Sequence, residues 1–250
     1  MTRDPLQGRV VVVTGGSGGI GSFICHHFAQ AGATVVLTYR TRSQPAQQLV
    51  DALPGEGHWA KQLAVDDSAG LKSLAADVEA RHGRCDVLVN CAGMTRFVPH
   101  AELDALDDTL IDDIFRVNWR GAFAAVRAFR PLLKVTGNGL VVNISSIAGV
   151  TGMGSNVAYC ASKAALDCMT KSLARALAPE IRVVSVSPGL VDTEFVRGLD
   201  QQWRDEQAAR TPLRRLATPD EVGAAVLAVA TTLVYSTGCI IAVDGGRPLA

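Results

Sequence analysis

Short runs of β-branched residues alternate with longer stretches of helical period along almost the whole chain. The β-branched runs are Arg9–Thr14, Thr34–Tyr39, His58–Val65, Val87–Asn90, Leu140–Ser145, Arg182–Ser187 and Cys239–Val243. Most are apolar at consecutive positions rather than at every second one, the pattern of strands covered on both faces. Between them, apolar residues recurring every three or four positions predict helices over Gly19–Ala31, Gln44–Ala52, Ala69–His82, Leu106–Leu133, Val157–Ala178 and Pro219–Leu233. This alternation predicts a doubly wound α/β fold, a parallel sheet with helices on both faces. No repeat, linker or low-complexity tract interrupts it, so one domain over residues 1–250 is expected.

Composition narrows the function classes. Apolar residues make up 48% and charged residues 19%, enough for a large core. Lysine plus arginine equals aspartate plus glutamate at 24 each, which gives no electrostatic reason to expect nucleic acid or an anionic membrane as partner. The longest weakly polar run, Val222–Val234, is about 13 residues, short of the roughly 20 that span a bilayer. Met1–Arg9 is polar and lacks the apolar core of an export signal, so a cytoplasmic location is expected. The six cysteines show neither a C-x-x-C pair nor zinc spacing and are expected to be buried, reduced thiols. The five histidines are scattered, or adjacent as His26 and His27 are, and none is expected to bind metal.

Five glycines fall within Gly15–Gly21, where the first strand turns into the first helix. Gly16, Gly18 and Gly21 fit G-x-G-x-x-G, and Thr14, Gly15, Gly19 and Gly21 fit T-G-x-x-x-G-x-G. A glycine turn lets the exposed N–H groups and the dipole of the helix approach a phosphate, which predicts a dinucleotide site. Gly15–Gly19 also matches G-x-S-x-G with Ser17 as nucleophile. That elbow normally follows several strands and precedes an acid and then a histidine. This chain has no histidine after His100, which argues against a hydrolase. The second strand ends in Tyr39, Arg40 and Arg42, where an NAD site would carry an acid for the ribose 2′-hydroxyl. Arginines there pair with a 2′-phosphate, so NADP is favoured, with NAD possible.

One of the predicted long helices opens with "VAYCASK". Tyr159 and Lys163 extend the apolar stripe of Leu166, Met169, Leu173 and Leu177 at i, i+4 spacing. A lysine facing the core is costly without a partner or a task. An ammonium beside a phenol would lower the phenol pKa from about 10 and let it exchange protons with a carbonyl or alcohol. The preceding "NISSIAG" puts Ser145 and Ser146 at a strand end, the edge where α/β sheets bind ligands. "LVNCAG" is a second such edge, and Asn118 is a polar residue within an otherwise amphipathic helix.

"TGGSGGIG", "NCAG", "VNWRG", "NISSIAG", "YCASK", "VSPGLVDT" and "TGCIIAVDGG", in this order, resemble the classical short-chain dehydrogenases/reductases over nearly the whole chain, the 3-oxoacyl-thioester reductases among them. The resemblance implies a seven-stranded Rossmann sheet of order 3-2-1-4-5-6-7. It implies a tetrad: Tyr159 as acid/base, Lys163 holding the nicotinamide ribose and tuning the tyrosine, Ser146 orienting the substrate oxygen, and Asn118 positioning a water in a proton relay. Ser146 is chosen over Ser145 because it stands thirteen residues before the tyrosine. The cofactor-binding set is expected to be Gly15, Ser17, Gly18, Gly19, Ile20, Gly21, Tyr39, Arg40, Val65, Asn90, Ala92, Gly93, Tyr159, Lys163, Pro188, Gly189 and Thr193. A substrate lid is implied at about 190–213, with Phe195, Leu199 and Trp203 as apolar candidates, and a homotetramer through the long helices and the C-terminal strand.

Three positions depart from the family pattern. Cys91 replaces an asparagine, Ala64 an aspartate that reaches adenine, and Gly18 the arginine of many NADP enzymes. With Ala64, adenine would rely on Val65 or Asp66. The expected activity is interconversion of a ketone and a secondary alcohol on a small-molecule substrate. A non-catalytic dinucleotide sensor is the alternative, and turnover distinguishes the two.

Overall fold

A computed structural model describes residues 4–249, and of Phe195 its backbone alone. Seven parallel strands form one sheet in the order β3-β2-β1-β4-β5-β6-β7. They are β1 Val10–Thr14, β2 Thr34–Tyr39, β3 Trp59–Gln62, β4 Val87–Asn90, β5 Gly139–Ile144, β6 Ile181–Pro188 and β7 Ile240–Val243. Helices follow or precede them as α1 Gly19–Gln30, α2 Ser43–Ala52, α3 Ser68–His82, α4 Asp108–Phe115, α5 Ala122–Val135, α6 Ala148–Thr151, α7 Val157–Leu177, α8 Glu194–Arg197, α9 Gln201–Ala209 and α10 Pro219–Thr231.

The central strands are buried at nearly every position and mostly apolar because both faces are covered. Val11 and Val13 pack with Ile24 and Phe28 of α1 and Val222, Val226 and Val229 of α10. Val10 and Val12 turn the other way, onto Leu71, Leu74 and Val78 of α3 and Phe129 and Leu133 of α5. The edge strands β3 and β7 are only half-buried, which explains why "WAKQ" reads as less apolar. The sheet order reverses between β1 and β4, and the crevice at that switch point opens at the carboxyl ends of the strands.

Three expectations change. The helix expected over Leu106–Leu133 is instead α4, a wide π-turn at Arg116–Gly121 and α5, preceded by a short 3₁₀ turn at Leu103–Ala105. The segment after β6 is partly helical, as α8 and α9. Finally, only Cys25, Cys85 and Cys160 are buried; Cys91 and Cys239 are half-buried and Cys168 is exposed, and all six are unpaired.

Among the described residues no helix is long and apolar enough to cross a membrane, and no cluster of His, Cys, Asp or Glu could hold a metal.

Candidate active site

The loop after β1 is thin because its own backbone requires it. Gly15 has φ of 65° and its N–H donates to Thr38 Oγ1 at 3.1 Å. A Cβ on Gly21 would stand 2.4 Å from the Gly15 carbonyl oxygen, and one on Gly16 2.6 Å from Leu37 Cβ. Thr14 Oγ1 accepts the N–H groups of Cys91 and Ala92, each at 3.2 Å, and so ties this loop to the one after β4. Gly18 is the N-cap of α1 and makes no side-chain cap bond, and the first turn carries no acid. The first N–H groups of α1 therefore remain free to hold an anion.

A cavity of about 770 Å³ runs along this edge. Gly15, Ser17, Gly18, Gly19, Ile20, Gly21, Tyr39, Arg40, Val65, Ala92, Gly93, Tyr159, Lys163 and Thr193 all line it. Arg40 is exposed and makes no ion pair among the described residues, while Arg42 stands 3.6 Å from Glu194 across the cavity rim. Asp66 is held by the Arg116 Nε at 3.0 Å. At the far end, Gly93 packs beside Asn118 and Lys163: a Cβ there would be 3.4 Å from Asn118 Oδ1 and 3.8 Å from Lys163 Nζ.

Five of the expected residues do not line the cavity. Asn90 is turned into the sheet, donating to Asn143 Oδ1 at 2.8 Å and to the Ala122 carbonyl. Pro188 and Gly189 extend the β6–β7 pairing, Gly189 N–H donating to the Val243 carbonyl at 3.0 Å. Asn118 is buried in the π-turn. Its Oδ1 accepts the Met94 N–H at 2.8 Å and its Nδ2 donates to the Met94 carbonyl and to Ser162 Oγ, both at 3.1 Å. Ser146 is half-buried beside Tyr159, with its Oγ accepting the Ala148 N–H at 3.2 Å.

The electrostatics of Tyr159 and Lys163 differ from the expectation. Lys163 Nζ donates to the Ile144 carbonyl at 2.8 Å and lies 5.7 Å from the centre of the Tyr159 ring. Burial raises the Tyr159 phenol above its ordinary pKa, and a hydrogen bond with the Ser146 hydroxyl offsets part of that rise. The phenol is therefore not acidified here: desolvation outweighs the Ser146 hydrogen bond, and the ammonium is committed to a carbonyl. Burial also lowers Lys163 to about 8, against the smaller opposing pull of Cys91 and Asp167.

Several residues were not singled out from sequence. Thr38 bonds the glycine loop; its signal was a polar residue inside the apolar run "VVLTY". Met94, Thr95 and Val117 also line the cavity and have no sequence signal of their own.

The sequence of residues 15–247 matches the family model described as enoyl-(acyl carrier protein) reductase. The chain belongs to the classical short-chain dehydrogenase/reductase family. It is 36% identical to the 3-oxoacyl-(acyl-carrier-protein) reductase of Thermotoga maritima, over 96% of this chain and 98% of that one. It is also 36% identical to the cis-4-hydroxycyclohexanecarboxylate dehydrogenase of Sinomonas cyclohexanicum, over 95% and 96%. A crystal structure of a glucose/ribitol-type short-chain dehydrogenase/reductase from Brucella melitensis superposes with a TM-score of 0.91 at 30% identity, covering 97% of this chain and 98% of that one. The family is one of NAD(P)-dependent oxidoreductases acting on CH–OH and keto groups, and the strand order agrees with its Rossmann fold.

Proposed function

We propose that the protein reduces a ketone to a secondary alcohol, or the reverse, with NADP(H) as preferred cofactor and Tyr159 as the proton-transferring group. The observation that carries this is the meeting of Tyr159 and Lys163, with Ser146 beside the phenol, at one end of a cavity whose other end is a glycine turn with a free helix N-terminus. A dinucleotide fits the residues present: the first N–H groups of α1 are free at the glycine turn, and Gly15, Gly18, Gly19, Ala92 and Gly93 line the cavity beside it. Gly15–Gly21 would hold the pyrophosphate, Ala92 and Gly93 the central ribose and nicotinamide edge, and Lys163 the nicotinamide ribose. When bound, the reduced nicotinamide supplies the hydride for the carbonyl carbon.

The chain's own groups handle the proton and the geometry. A phenol raised by burial stays protonated near neutral pH, so Tyr159 presents a proton to the substrate oxygen. Ser146, bonded to that phenol, orients the same oxygen. Lys163 places positive charge beneath the site while charged, and Asn118 holds the Met94 segment at its wall.

Arg40 and Arg42 support the NADP preference, because no acid stands at the end of β2. Leu199, Trp203 and Leu213, exposed after β6, suit an apolar substrate beneath a lid at about 190–213. The whole chain would act as one catalytic domain. The exposed apolar groove of Phe115, Trp119, Phe123, Met169 and Leu173 suits a copy of the same chain in a homotetramer.

Nicotinamide absorbance at 340 nm across a panel of ketones and alcohols tests the reading. Turnover with at least one apolar ketone is expected, faster with NADPH than NADH. Tyr159→Phe should lower kcat by roughly 10²–10⁴-fold while leaving cofactor affinity within about twofold. Arg40→Asp should narrow the NADPH advantage. Undiminished turnover by Tyr159→Phe would remove the proton role.

A further inference from the structure

The first turn of α7 is held by a side chain that none of the roles above uses. Asn156 is 0% exposed and is the N-cap of α7. Its Oδ1 accepts the N–H of Tyr159 at 2.7 Å. Its Nδ2 donates to the Arg96 carbonyl at 2.7 Å and to Thr95 Oγ1 at 3.2 Å. Asn118 grips the same stretch at Met94, and it also donates to Ser162 Oγ, which itself donates to the Tyr159 carbonyl at 2.8 Å. Both polar groups of the Tyr159 backbone are thus bonded to side chains. Both bonds lead back, through one asparagine each, to the wall segment Met94–Arg96.

An N-cap serves whichever residue stands two or three places into the helix. Here that residue is the one proposed to move the proton. The Tyr159 N–H lies in the first turn, where no intrahelical acceptor is available, so without the cap this turn is free to fray. The phenol is carried on that backbone, and a displacement of about 1 Å at a reacting group can cost on the order of 10²-fold in rate. Capping therefore bears directly on where the hydroxyl stands relative to Ser146.

We propose that Asn156 is a positioning residue for the reaction: by capping the Tyr159 N–H it fixes the first turn of α7 and so sets the place of the phenol. The inference rests on the proton role of Tyr159. Asn156 touches no reacting atom, so its effect falls on kcat rather than on cofactor binding.

The test uses the full-length protein and three variants. Asn156→Ala removes the cap and the tie. Asn156→Gly tolerates the cap backbone but bonds nothing. Asn156→Ser offers a hydroxyl that can accept the Tyr159 N–H but cannot reach Arg96. For each, kcat, KM, cofactor Kd from nucleotide fluorescence and Tm are measured. Alanine and glycine are expected to lower kcat roughly 10- to 100-fold with cofactor Kd within about twofold of the parent, and serine to return kcat to within about threefold. The proposal is overturned if the alanine or glycine variant keeps kcat within twofold, if serine is as slow as glycine, or if cofactor affinity falls in step with kcat. Should alanine fail to fold, the glycine–serine comparison decides alone. Tyr159→Phe separates the two claims: if it turns over normally the proton role fails, whereas an inactive Tyr159→Phe beside a fully active Asn156→Gly sinks only the positioning role.

Discussion

Lys163, proposed above to hold the nicotinamide ribose, costs the fold stability. It is buried, its single hydrogen bond goes to the Ile144 carbonyl, and burial lowers its pKa from 10.5 to about 8. A folded pKa below the unfolded one means that the unfolded chain binds more protons between pH 8 and 10.5. Stability from this group therefore rises with pH across that window, and below pH 8 the full cost of burying the charge is present. The shift corresponds to about 3 kcal/mol, of which the lost hydrogen bond to Ile144 takes back about 1. Lys163→Met is expected to be more stable than the parent by about 1–2 kcal/mol at pH 7, and the gap should shrink toward pH 10, read from urea midpoints. The same variant should lose turnover. A gap that is constant with pH would show that the lysine keeps its ordinary pKa in the folded state. Asp167 is a second buried titratable group on α7, one turn beyond Lys163, and burial raises its pKa.

At the scale of elements, two local structures make the site, and they differ in how visible they are in sequence. The glycine turn is legible because glycines clustered between a strand and a helix cost order unless the backbone there must turn tightly or lie against a ligand. Its demand is steric. At Gly21, a Cβ would meet the Gly15 carbonyl oxygen at 2.4 Å, a backbone atom that cannot swing aside. Gly21→Ala should therefore destabilise the fold by about 1–3 kcal/mol and weaken dinucleotide binding at least tenfold, measured by denaturation and by fluorescence titration. Unaltered binding would mean that the turn shifts without consequence. The π-turn at Arg116–Gly121 is not legible. Its residues have ordinary helical spacing, and "VNWRG" fits one continuous helix as well as a widened one. The extra residue in the turn is what brings Asn118 onto the Met94 segment, as such bulges often do at sites.

Across the whole molecule, sheet and helices form two apolar layers, and a third apolar surface is left outside them. Trp119 and Phe123 stack with ring centres 5.9 Å apart beside Met169 and Leu173, and Phe123 is 37% exposed. Exposed aromatic surface of this kind marks an interface more often than chance packing. If a second copy covers it, the parent should elute well above the 26.3 kDa of one chain in size-exclusion chromatography with light scattering. Phe123→Glu should shift it to that mass by placing a charge in the interface. A parent protein that is already 26.3 kDa would dismiss the oligomer.

The sequence by itself determined the element order, the doubly covered strands and the positions of the glycine turn and of the Tyr159–Lys163 pair. These follow from local rules: side-chain period, chain length per element and the conformations open to glycine. It also carried the family, because seven motifs recur in one order. What only the tertiary structure decided depends on contacts between distant segments. Asn90 and Asn118 look alike as polar residues in apolar surroundings, yet one braces β4 against β5 while the other clamps the cavity wall. Asn156 gave no signal, since an asparagine before a helix is an ordinary cap until the residue that it caps and the loop that it ties are both known. The sign of the Tyr159 shift was likewise undecided, because spacing places an ammonium near a phenol but only packing says how much water remains around either.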